Sequence, residues 1–271
     1  MSWWGKMLGG AFGFLSAGPI GALLGVAAGH MFDRGMSESG LSPAGGREGR
    51  QGGDRERVQA VFFATTFSVM GCLAKIDGRV TRNEISLAES IMDQMDLSSE
   101  QRRAAIDLFR EGKKADFPLD EVLAQFKQEI RGRRDLERMF IEILVHAAFA
   151  DGSLHEAERR LLLRICRKLR FSAIEFQILV NFVQASQADF GSRAGVDSPD
   201  ELDRAYQLLN VSRDASDEEI KKAYRRLMNR HHPDKLVAKG LPEEMIRLAT
   251  QKTHEIRQAY ERVRRARGAG K

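Results

Sequence analysis

Glu218-Glu219-Ile220-Lys221-Lys222-Ala223-Tyr224-Arg225-Arg226-Leu227-Met228, followed by His231-His232-Pro233-Asp234-Lys235, decides how this chain folds. Ser216 precedes Glu219 by three residues, a capping box that satisfies free amides at a helix start. Ile220, Ala223, Tyr224 and Leu227 then share one apolar face, while Lys221, Lys222, Arg225 and Arg226 fall mainly on the other. Pro233 stops the helix, because it has no amide to donate and pushes its predecessor out of the α region. Beyond it Ile256, Ala259, Tyr260 and Val263 repeat the apolar spacing and can pack against the first face. The expectation is a helical hairpin with Asp234 exposed at the tip of its loop. A short opening helix is expected over 203–211, and a second helix resuming near Glu243.

A basic helix, a His-Pro-Asp loop and a partner helix in this order resemble the J domain of the DnaJ/Hsp40 co-chaperones. The resemblance implies docking on ATP-bound Hsp70 (DnaK) and stimulation of its ATPase. His232, Pro233 and Asp234 would engage Hsp70, and Lys221, Lys222, Arg225, Arg226 and Arg230 would meet an acidic surface. Clustered cations suit electrostatic steering, and Asp234 suits a charge-assisted bond to an arginine. A solvated basic face is the bland alternative for the cations. A metal site is the alternative for His231-His232, though adjacent histidines at a helix end point apart. Two departures stand out. Thr253 occupies a position where many J domains carry Phe, and the loop is extended by Lys235-Leu236-Val237-Ala238-Lys239-Gly240-Leu241-Pro242. The extended loop is similar to that of the membrane-anchored DnaJ-like DjlA proteins of Gram-negative bacteria.

The 271 residues allow more than one domain, and 42% apolar with 30% charged residues is ordinary for a packed core. A net charge of +5 permits an acidic protein partner or anionic lipid. Nucleic acid is disfavoured, since acids interleave the basic residues and aromatics are only 7%. Arg262, Arg264, Arg265 and Arg267 are expected to form a solvated helix end. Cys72 and Cys166 are the only cysteines, too few for a disulfide framework or a zinc quartet. Nothing here forms a catalytic constellation. No cofactor is expected, and the reading is of a non-enzyme.

From Met7 to Phe32 runs an uncharged segment, against roughly 20 residues needed to span a bilayer. A spanning helix, a cleaved signal peptide and a buried hairpin all fit such a run, and its length favours the anchor. Lys6 precedes the segment, whereas Arg34, Arg47, Arg50, Arg55 and Arg57 follow it. Positive residues stay inside, so residues 1–6 are expected in the periplasm and the rest in the cytoplasm of a bacterial inner-membrane protein. Trp3 and Trp4 suit an interfacial belt. Gly5, Gly9, Gly13, Ala17, Gly21, Gly25 and Gly29 recur every four residues, a face on which two such helices can approach and form a homodimer.

Linkers are expected over 33–54 and 185–199, enclosing an all-helical domain over 55–184 and leaving 200–271 to the J domain. Val58, Val61, Phe62, Thr65 and Val69 trace one helix face, Phe140, Ile143, Leu144 and Ala147 another, and Ser172 with Glu175 makes a second capping box. Lys75-Ile76-Asp77-Gly78-Arg79-Val80 through Glu84 parallels Phe149-Ala150-Asp151-Gly152-Ser153-Leu154 through Glu158. This internal repeat resembles the TerB (tellurite-resistance) domain. Asp77, Glu84, Asp151 and Glu158 can be read as a divalent metal site. Turn-making Asp-Gly and helix-starting Glu explain them without a metal, and the full Ca²⁺-loop spacing is absent. His146 and His155 read as ordinary helix residues. The whole is an all-α, membrane-anchored co-chaperone. Its rivals are a metal-responsive membrane sensor acting through the central domain and a basic adaptor for nucleic acid or lipid.

Overall fold

The computed structural model describes residues 18–24, 49–76, 92–93, 97–149, 152–187, 199–242 and 245–268, and no strand occurs among them. In chain order come α1 (Gly49–Ala74), α2 (Ser99–Gly112), α3 (Leu119–Glu129), α4 (Arg134–Ala148), α5 (Glu156–Lys168) and α6 (Ala173–Gln187). They are followed by α7 (Pro199–Leu209), α8 (Asp217–His231), α9 (Pro233–Ala238) and α10 (Ile246–Gly268).

α1 is the axis of the central domain. Its residues from Val58 to Gly71 are all buried, not only the face that Val58, Val61, Phe62, Thr65 and Val69 define. The stretch Asp54–Ala74 is long and apolar enough to cross a membrane, but 89% of its most apolar window is buried, so it is a core helix. Phe62 meets Phe126 of α3 and Phe140 of α4 with ring centroids 6.0 and 6.3 Å apart. The hydroxyls in this interior bond backward along the helix, Thr66 Oγ1 to Phe62 O at 2.7 Å and Ser68 Oγ to Ala64 O at 2.8 Å. α1 and α2 approach almost backbone to backbone, at Gly71 against Phe109 O and at Gly112 against Ser68 O.

α1 begins at Gly49, inside the stretch expected as linker. The glycines at 49, 52 and 53 look like loop, but packing downstream of Asp54 carries the helix back through them. α6 continues to Gln187 and α7 starts at Pro199, so both helices enter the span expected as the second linker. Residues 188–198 lie outside the described residues.

Four of the seven residues at 18–24 (Ile20, Gly21, Leu23 and Leu24) are buried. Ile20, Leu23 and Leu24 join the central hydrophobic cluster, and the Ile20 amide donates to Gln125 Oε1 at 3.0 Å. An apolar stretch outside lipid lowers its free energy by covering such a surface. The rest of the 7–32 segment lies outside the described residues.

In the C-terminal unit α8 and α10 pair as expected, with Tyr224 and Tyr260 stacked at 4.2 Å. Ile220, Ala223, Leu227, Ile256, Ala259 and Val263 are buried between them and α7. The C-terminal arginines are not a purely solvated end. Arg267 donates to Tyr206 Oη at 2.9 Å, to Asp217 Oδ1 at 2.8 Å and to Arg213 O at 2.6 Å, and Arg262 pairs with Glu201 at 3.3 Å. They tie the end of α10 to α7 and to the start of α8.

Gly71→Ala and Gly112→Ala should each destabilise the fold by about 1–3 kcal/mol, because the obstructing atoms are carbonyls that cannot swing aside. Gly268→Ala, with open space around it, should be neutral. Thermal unfolding of the three variants checks this; equal midpoints would contradict the close helix crossing.

Candidate functional site

The capping box forms as the sequence suggests: Glu219 N donates to Ser216 Oγ at 3.2 Å, and Ser216 N to Glu219 Oε2 at 2.8 Å. The bond from Ser216 N, joined by one from the Ser216 hydroxyl at 2.9 Å, holds the Glu219 carboxyl below its ordinary pKa. α8 ends at His231, and His232 turns out of the helix at φ −62°, ψ 120°. Pro233 then begins a new helix, where the sequence reading placed an open loop. Proline at the first helical position loses no bond, and its φ is already helical. Asp234 therefore sits in the first turn of α9, not at a loop tip, where an acid also suits the helix dipole.

Two faces result. Outward lie Lys221, Lys222, Arg225 and Arg226, all exposed, and among the described residues none makes a hydrogen bond or ion pair. Beside them the Asp234 side chain is 89% exposed and His232 is 46% exposed, with His232 Nδ1 3.9 Å from Asp234 Oδ2. Arg230 differs from the other four cations: burial and the neighbouring Arg226 lower its pKa.

The inward face meets the central domain. His231, adjacent to His232, is only 4% exposed. Its ring stacks on Phe182 of α6 at 5.5 Å and 10°, and its Nδ1 lies 3.8 Å from the buried Glu142 carboxylate of α4. Lys252 of α10 is buried too, its Nζ 2.6 Å from His146 Nε2, 3.2 Å from Glu255 and 5.3 Å from the Phe182 ring centroid. An ammonium can only donate, so Nε2 of His146 must be unprotonated and its ring proton sits on Nδ1. On the far side of α9, Lys239 pairs with Asp135 and Gln59 Nε2 donates to Leu241 O at 3.2 Å. The sequence reading treated His146 as ordinary and missed this seam. Its signal is present: Asp135, Arg138, Glu142 and His146 fall at i, i+3, i+7 and i+11 on a helix that, Arg134 and Glu137 aside, is otherwise apolar.

Burial holds His146 well below its ordinary pKa, helped by Lys252. Burial likewise lowers His231, against the opposing pull of Glu142 and with Lys252, Arg230 and Arg138 adding to the shift. The thiols are quiet: burial pushes Cys166 up to about 12 and raises Cys72.

Asp77, Glu84 and Asp151 lie outside the described residues. Glu158 uses its carboxylate to cap α5, accepting from His155 N at 3.0 Å. Among the described residues no three His, Cys, Asp or Glu side chains form a metal-holding group. Of the glycine ladder, Gly5, Gly9, Gly13, Gly25 and Gly29 lie outside the described residues, and Gly21 is buried within this chain.

Three family models match in succession: the Co-chaperone DjlA transmembrane domain over residues 1–43, tellurite resistance protein TerB over 64–180, and the DnaJ domain over 204–266. The Co-chaperone protein DjlA of Photobacterium profundum is 44% identical across 98% of this chain and 99% of its own length. That of Coxiella burnetii is 43% identical with the same coverage, and that of Vibrio cholerae 44% identical over 97% of this chain and 98% of its own. No solved structure matches the chain.

The seam should weaken in acid. His146 and His231 are held neutral when the two domains are docked, and they regain an ordinary pKa of about 6.5 when they separate. The undocked state therefore binds more protons below that value. Docking is at full strength above pH ~6.5 and is lost progressively as pH falls toward the depressed values. Hydrogen exchange of the amides over 236–241, corrected for intrinsic rates, should show opening that grows across this window. A flat profile would show that the histidines do not control the seam.

Proposed function

The chain belongs to the DjlA co-chaperone family, and on that premise we propose that it stimulates ATP hydrolysis by a cytosolic Hsp70 (DnaK) at the inner face of the bacterial inner membrane. The observation that carries this reading is the set of exposed charges that flank the break at Pro233. Four exposed cations on α8 make no hydrogen bond or ion pair among the described residues, and Asp234 follows in the first turn of α9 with its carboxylate exposed. The cations steer an acidic partner surface, an effect that raises association rate and is weakened by salt. Asp234 accepts a charge-assisted hydrogen bond from an arginine of that partner. Pro233 fixes the direction in which α9 leaves α8, and His232 flanks the carboxylate.

The apolar segment over 7–32 anchors the protein once residues 18–24 exchange their contact with the central domain for lipid, with residues 1–6 periplasmic and the folded domains in the cytoplasm, where ATP is available. Small residues every four positions suit pairing of two such segments into a homodimer. The capping role of Glu158 supplies no support for the metal-responsive sensor.

Full-length protein in detergent micelles should raise steady-state ATP hydrolysis by Hsp70, and Asp234→Asn should abolish the increase. Reversing Lys222 and Arg226 to Glu should raise the concentration needed for half-maximal stimulation and flatten its salt dependence. Stimulation that survives Asp234→Asn would sink the reading.

A further inference from the structure

The short helix α9 carries Pro233 and Asp234, and both of its ends are pinned to a domain that precedes it in sequence. On the N-terminal side His231 is stacked on Phe182 and buried beside Glu142. On the C-terminal side Lys239 pairs with Asp135, and Gln59 holds Leu241 O. Between these last two contacts the chain passes over α1 at Gly240. A Cβ there would lie 2.8 Å from Val58 Cγ1, and the backbone has φ +100°. Only glycine combines that approach with that conformation. Leu236, Leu241 and Met245 are fully buried around the same crossing.

The docked arrangement leaves the outward surface open. Lys221, Lys222, Arg225, Arg226 and Asp234 are all exposed while His231 and Leu241 are buried, so the seam presents the His-Pro-Asp segment without covering it. A short helix following a chain break has little stiffness of its own, and few local bonds fix its direction. Here direction comes from two contacts on either side, which is how a rigid scaffold orients a binding element.

We propose that the central domain is a clamp that positions the His-Pro-Asp segment for its partner, with Phe182 and Glu142 as positioning residues at one end and Gln59 and the Gly240 crossing at the other. The extended loop, Lys235 to Pro242, is then the element that reaches the clamp. Its added length serves an intramolecular dock instead of the choice of Hsp70. This role rests on the Hsp70 reading above.

The test uses the full-length protein in detergent micelles with Phe182→Ala and Gln59→Ala. Two quantities are measured: hydrogen exchange of amides 232–241 without Hsp70, and Hsp70 ATPase against co-chaperone concentration. Each variant should exchange faster over 232–241 while the core amides of α1 and α4 keep their protection. Each should also need a severalfold higher concentration for half-maximal stimulation, with a nearly unchanged maximum, because the contact residues are intact but less often aligned. Gly240→Ala, at the opposite end from Phe182, should reproduce the pattern. If Phe182→Ala loses α1 and α4 protection as well, Gln59→Ala and Gly240→Ala carry the test. Superposed ATPase curves, or stimulation that improves on loosening, would overturn the clamp alone. Absence of stimulation by the unmodified protein would overturn the Hsp70 reading, and the positioning role with it.

Discussion

Pro233 is the constraint on which the functional half of this molecule turns. It cannot continue α8, because it lacks an amide and forces His232 out of the helical region, yet it can begin α9 with no loss. That single break separates two histidines that would otherwise sit side by side on one helix. His231 remains the last residue of α8 and turns inward to Phe182, while His232 stays at the surface beside Asp234. One residue therefore belongs to the intramolecular seam and its neighbour to the face offered to a partner.

The seam requires a surface that does not deform, and the central domain supplies it by placing its most apolar helix in the middle. From Val58 to Gly71 α1 is buried on all sides, and it crosses α2 so closely that glycine is needed at Gly71 and Gly112. Close packing of this kind transmits position, since core side chains have few other places to go. α4 lies against α1 through Phe140 and shows Asp135, Glu142 and His146 to Lys239, His231 and Lys252 of the J unit. The same helix is core on one side and dock on the other. The distance from α1 to His231 is bridged by packed side chains throughout.

What could be read from the sequence was whatever is local. The capping boxes at Ser216 and Ser172, the paired apolar faces meeting at Tyr224 and Tyr260, and the outward cations all follow from spacings within one or two turns. Failures came where tertiary contact overrides local preference. Gly49, Gly52 and Gly53 look like linker yet belong to α1. Arg267 looks like a solvated helix end, but three partners from elsewhere in the J unit receive it. Asp234 was assigned to a loop because proline was weighed only as a helix stop. His146 and Glu142 look like ordinary helix positions, because neither shows a partner until the fold brings one from far along the chain, Lys252 for His146 and His231 for Glu142.

The chemistry of the seam also explains why it is suited to holding without locking. Among the described residues neither the Glu142 carboxylate nor His231 Nδ1 has a hydrogen-bonding partner, although they lie 3.8 Å apart. Buried polar groups left in this state cost free energy that a pair of apolar residues would not. Phe182 offsets part of that cost, since an aromatic stack contributes about 0.5–1.5 kcal/mol beyond the area it buries. An all-apolar seam would hold α9 more tightly but would tolerate sliding, because greasy surfaces have no register. A carboxylate, an imidazole and a lysine that must face particular neighbours permit far fewer alignments. The seam thus trades strength for direction, and direction is what a segment presenting one carboxylate to a partner needs.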